Sequence, residues 1–136
     1  MTTIVDQVER AIVFIHKRYP AHDVYLLGHS AGGHLAAQML TVDWATKHGC
    51  AQLRGALRGC IAVSGLFDLA PVQRSYANAA LNLTDAEVAR LSPINRIADI
   101  TTHSDAPVCF HVAPLVYHHR RCDDDLEGET RVGRRG

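Results

Sequence analysis

The sequence predicts an α/β fold, a parallel sheet with helices on its faces. Three observations carry this: an amphipathic segment at the start, the short apolar run "DVYLLG" directly behind it, and two later apolar runs separated by helix-forming stretches. At 136 residues the chain is about one domain, and a globule of that size buries roughly two thirds of its unfolded surface. We place that domain at residues 1–114 and treat 115–136 as a separate tail.

In "TTIVDQVERAIVFIHKRYP" the apolar residues Val5, Val8, Ile12, Ile15 and Tyr19 recur at three- and four-residue steps, with Asp6, Glu9, Arg10 and Lys17 on other faces. This spacing predicts a helix that Pro20 stops. The run from Asp23 to Gly28 then has the β-branched and aromatic content of a buried parallel strand. "GGHLAAQMLTVDWATK", from Gly32 to Lys47, reads as one helix closed by Gly49. "LRGCIAVSGLF", Leu57 to Phe67, is a second strand. Thr84 and Glu87 have the spacing of a capping box, in which each satisfies the other's backbone N–H, and Pro93 ends the helix they begin. "APVCFHV", Ala106 to Val112, is a third strand.

The last 22 residues hold ten of the 28 charged residues and show no apolar period, so they are expected to be disordered. Over the whole chain Lys plus Arg equals Asp plus Glu, which excludes the basic footprint of a nucleic-acid or anionic-membrane binder. A small uncharged molecule is the expected partner. Cys50, Cys60, Cys109 and Cys122 form no C-x-x-C pair, and the N-terminus lacks a secretory pattern. We expect reduced thiols in a cytoplasmic protein. "HHRRCDDD" offers possible metal ligands, but adjacent side chains diverge and no spacing fits a zinc site, so no metal is expected.

Gly28-His29-Ser30-Ala31-Gly32 is a G-x-S-x-G pattern set between a predicted strand and a predicted helix. A serine at such a turn sits in strained backbone, and glycines beside it allow neighbouring backbone to approach. Its hydroxyl is then presented at the carboxyl edge of the sheet, where open α/β folds bind ligands. Ser30 is therefore the candidate nucleophile, and the N–H of Ala31, at the positive end of the helix, is a candidate oxyanion donor. The competing reading is a serine that only caps a helix. His29 and His34 are poorly placed to reach the Ser30 hydroxyl, and we read them as packing or pocket-wall residues.

With these pieces in place, the chain resembles the middle of an α/β-hydrolase of the kynurenine formamidase (arylformamidase) group. The matching pieces are "VDQVERAIVFI", "GHSAGGHLAAQML", "DWATKHG", "AVSGLFDLAPV" and "ALNLTDAEVARLSPI", which run from about Ile4 to Ile97. The resemblance implies a partial α/β-hydrolase fold, without the N-terminal strands and the C-terminal strand and helix. It implies hydrolysis of N-formyl-L-kynurenine to L-kynurenine and formate, with no metal or organic cofactor. It also implies a triad acid and histidine after the third strand, and an H-G-G loop before the first helix.

None of these three parts is identifiable. No carboxylate lies between Val112 and Asp123, and His118 and His119 precede the aspartates instead of following them. Asp68 is an alternative acid, with turn and helix capping as its simpler role. Phe67 matches a family position lining the substrate pocket and is equally well explained as core, and His29 is a second candidate for the pocket wall. The fragment alone is thus expected to be impaired or inactive. A short-chain carboxylesterase, and a non-catalytic truncated product associating through exposed sheet edges, are the alternatives.

Overall fold

The computed structural model describes residues 1–103 and 108–111, and the side-chain surroundings of residues 1–100. Helix α1 (Thr2–Arg18) leads into strand β1 (Val24–His29), and α2 (Ala31–Met39), α3 (Trp44–His48) and α4 (Gln52–Ala56) carry the chain across to β2 (Leu57–Val63). Three short helices follow, α5 (Ala70–Gln73), α6 (Asn78–Leu81) and α7 (Asp85–Leu91). A 3-10 turn at Pro93–Arg96, α8 (Ile97–His103) and β3 (Val108–His111) complete the described elements. The strands form one parallel sheet in the order β1-β2-β3, with Leu26 opposite Cys60 and Ala62 opposite Phe110. This is the α/β class with a parallel sheet that the strand spacing predicts.

The core lies where α1, α2 and the α5–α7 region meet the sheet, around Ile12, Met39, Leu53, Leu57, Leu69 and Leu91. Each fully buried aliphatic side chain there contributes roughly 1.5–3 kcal/mol. Small residues bring α2 onto the strands: Ala36 on the helix packs with Cys60 and Ala62 on β2, and all three are buried.

Four expectations change in detail. The single helix expected from Gly32 to Lys47 is two helices. The Thr41 hydroxyl turns back to the Gln38 carbonyl, and Asp43 starts α3 by accepting a hydrogen bond from the Thr46 N–H. Gly49 does end that second helix, in the left-handed region at φ 61°. The buried stripe of α1 is Val5, Glu9, Ile12 and His16, so Glu9 is inside and Ile15 and Tyr19 are outside. β1 is half-buried on one face and exposed on the other, since Tyr25 and Leu27 are 71% and 75% exposed and Ile61 beside them on β2 is 48% exposed. β2 ends at Val63, where Ser64 turns the chain with φ 48°. The capping box at Thr84 and Glu87 forms as its spacing predicts. The charged tail, Cys122, His118 and His119 lie outside the described residues.

Candidate active site

Ser30 stands between the last residue of β1 and the first of α2, with φ 54° and ψ −118°. Only a few per cent of non-glycine residues adopt positive φ, and this combination costs of order 1–3 kcal/mol. Two backbone bonds hold it there. The Ser30 N–H donates to the Val63 carbonyl on β2 at 2.9 Å, and the Ser30 carbonyl accepts from the His34 N–H at 3.1 Å as the first turn of α2.

The glycines make this turn possible by what they leave out. A Cβ on Gly28 would lie 2.0 Å from the Gly32 carbonyl oxygen, and one on Gly33 would lie 2.9 Å from the Cα of Gly65. The second contact shows that the elbow is packed against the loop after β2, where a Cβ on Gly65 would in turn meet the Phe67 ring at 2.5 Å. Sequence reasoning singled out Gly28 and Gly32 but missed Gly65. Its signal was available in "VSGLF", a second glycine directly after a strand end.

Ser30, His29 and Ala31 are exposed at the carboxyl edge of the sheet, the place the strand-turn-helix context gives a nucleophile. Ala31 opens α2, whose first N–H groups have no partner within the helix and whose dipole favours negative charge. Phe67 is half-buried and packs against the Ala36, Leu40, Cys60 and Ala62 cluster, so its ring lies beside the elbow and is also part of the packing.

The other candidates have different work. His34 is fully buried and its Nε2 lies 2.7 Å from the Leu91 carbonyl, which makes that nitrogen a donor, while burial works against a charge on the ring. Asp68 accepts from the Ala70 N–H at 2.9 Å, the capping role open to it. Among the described residues no imidazole shares a hydrogen bond with the Ser30 hydroxyl, and no group of three His, Cys, Asp or Glu side chains could hold a metal ion. Cys50 and Cys60 are buried free thiols, and burial pushes the Cys60 thiol up to about 11. A cavity of about 230 Å³ with a mixed polar and apolar lining lies at the other end of α2, between Glu9, Gln38, Lys47 and Arg90. Its charged groups are already engaged: Lys47 with Glu9, Arg90 with the Thr2 hydroxyl, Arg96 with Asp99, and Asp43 with the Thr46 N–H.

Comparison with known proteins fixes the lineage. The chain is 36% identical over 105 residues to the kynurenine formamidase of Salmo salar and 35% identical over 105 residues to that of Danio rerio. It is a homologue of the kynurenine formamidases. Each alignment takes in 76% of this chain and 34% of the relative, so the chain spans about one third of the length of the curated relatives it matches. A provisionally named thioesterase from Silicibacter sp. TM1040 superposes with a TM-score of 0.67 at 27% identity, over 84% of this chain and 40% of that one. No family model matches the sequence. The fold is therefore of the hydrolase type that the elbow indicates.

Proposed function

We propose that this chain carries the nucleophile of a serine hydrolase of kynurenine formamidase type, acting on N-formyl-L-kynurenine to give L-kynurenine and formate. The observation that carries the reading is Ser30 in strained backbone between β1 and α2, in a chain homologous to kynurenine formamidases. The Ser30 Oγ attacks the formamide carbonyl carbon and passes its proton to a base. The carbonyl oxygen takes up negative charge beside the Ala31 N–H, and the C–N bond then breaks as the amine leaves with a proton. Water hydrolyses the formyl ester to formate and restores the serine.

No base stands at the Ser30 hydroxyl among the described residues, so turnover by this chain alone is expected to be far below that of a complete triad. His29 and Phe67 flank the serine as candidate walls of the substrate site. No described helix is long and apolar enough to cross a membrane, and the free buried thiols support a cytoplasmic setting.

The test is labelling with a fluorophosphonate at pH 9, where more alkoxide is available, followed by peptide mapping. Ser30 is the expected site of modification, absent in Ser30→Ala. Labelling that favours another hydroxyl, or none over many hours, overturns the assignment. The thioesterase neighbour favours a second reading, a short-chain carboxylesterase. Serine-dependent hydrolysis of p-nitrophenyl acetate with none of N-formyl-L-kynurenine would select it.

A further inference from the structure

The turn after β2 repeats the feature that marks the elbow. Among the described residues Ser30, Ser64 and Asn82 are the non-glycine residues with positive φ, and Asn82 closes α6, where asparagine tolerates the left-handed region. Ser64, at φ 48°, follows the β2 residue that stands opposite His29, so the two strained serines leave adjacent strands at the same level. Strain of that kind persists only where the surroundings over-determine it, and it clusters at ligand sites.

The fastenings of this turn can be named. At the start of loop 64–68 the Val63 carbonyl accepts from the Ser30 N–H, and the Cα of Gly65 would lie 2.9 Å from a Cβ on Gly33. At its end the Phe67 carbonyl accepts from the Ile94 N–H at 3.1 Å, and the Leu69 N–H donates to the Ser92 hydroxyl at 3.0 Å. Ser92 is fully buried and donates its own O–H to the Val88 carbonyl at 2.7 Å. That second bond is enough to finish α7. The bond from Leu69 spans 23 residues and serves the loop instead. Leu91, next to Ser92, accepts from His34 on the elbow helix, so residues 91–94 hold both the helix that follows Ser30 and the loop that carries Phe67.

We propose that Ser92 is a positioning residue, which holds the Phe67 ring beside the elbow as a wall for the aromatic part of the substrate. The proposal rests on the reading of Ser30 as nucleophile. Ser30 keeps its own geometry through Val63 and His34, whereas the ring depends on the loop end that Ser92 fixes. Alanine at position 92 leaves the buried Leu69 N–H without its acceptor, and the loop end loses its anchor. Reactivity at Ser30 and preference for an aromatic group are thereby separable.

Two fluorophosphonates of equal length, one ending in an alkyl group and one in a phenyl ring, are reacted with the chain at pH 9, and the rate of Ser30 modification is followed by peptide mapping. Contact between the phenyl ring and Phe67 should make that probe roughly fivefold faster in wild type, the size usual for an aromatic pair. In Ser92→Ala the ratio should fall to about one while the alkyl rate changes by less than about twofold. Should Ser92→Ala lack a cooperative urea transition, Phe67→Leu decides, and it should abolish the ratio equally. An unchanged ratio in either variant, including equal slowing of both probes, or no phenyl preference in wild type overturns the proposal and leaves Ser30 as nucleophile. Absence of Ser30 labelling in wild type removes the nucleophile and the proposal with it.

Discussion

A Cβ at position 28 would stand 2.0 Å from the carbonyl oxygen of Gly32. The clash is with backbone, which cannot rotate away as a side chain can, so relief requires moving α2 relative to β1. Gly28→Ala is therefore expected to lose about 3 kcal/mol of stability. Gly32 itself has open space where a Cβ would go and lies within a helix, so Gly32→Ala should be neutral or gain up to about 1 kcal/mol. Urea denaturation of the two variants ranks them. The opposite order would place the tight contact elsewhere.

His34 ties the elbow helix to the end of α7 through the Leu91 carbonyl. Burial, the larger influence, pushes the imidazole below its usual 6.5, while the bond to Leu91 works the other way. The folded protein thus holds a neutral ring, and the unfolded chain takes up a proton as pH falls through 6.5. The stability His34 provides is complete above that value and declines below it. In chemical denaturation at pH 7.5 and 5.5, the advantage of wild type over His34→Gln should shrink at the lower pH. An advantage that grows on acidification would show that the buried ring is held charged.

Glu9 is 2% exposed and accepts from Lys47 at 2.8 Å, with the His48 Nε2 2.6 Å from its other oxygen. Glu9→Gln should cost about 2 kcal/mol, since a buried acceptor of charge-assisted bonds is lost. Lys47 is half-exposed and regains water when unpaired, so Lys47→Met should cost less, under about 1 kcal/mol. Thermal and urea unfolding of both variants check the ranking.

Glu87 closes the capping box with Thr84 and also receives the Thr2 hydroxyl at 2.9 Å. That hydroxyl first, then the N–H groups of Thr2 and Thr84, hold its carboxylate down from 4.5 to about 2. The stability this provides is complete above pH 4.5 and is lost as pH falls toward 2. Glu87→Gln should remove that part of the acid limb in a pH titration of stability. Thr84→Ala, which deletes the other half of the box, should cost about 1 kcal/mol at neutral pH.

The residues that announced themselves in the sequence are those whose chemistry acts locally. Ser30 with its flanking glycines, the Thr84 and Glu87 box, and Gly49 as a helix stop all depend on neighbours within five residues. Short-range spacing is enough to read them. The division of α2 from α3 was hidden because it depends on competition: Thr41 and Asp43 bond backbone in ways that interrupt a sequence whose composition favours one continuous helix.

The sequence by itself determined the α/β class, the position of the nucleophile candidate and the kinship with kynurenine formamidases, because periodicity, a strand-turn-helix motif and an ordered series of matching segments survive without coordinates. Tertiary structure alone decided that Glu9 is buried, that His34 serves as a strut to Leu91, and that Gly65 packs under the elbow. It also decided which face of β1 is exposed. The physical reason is the same in each case: these properties depend on residues far away in the chain, and an apolar run or an acidic side chain carries no local mark of what will be packed against it.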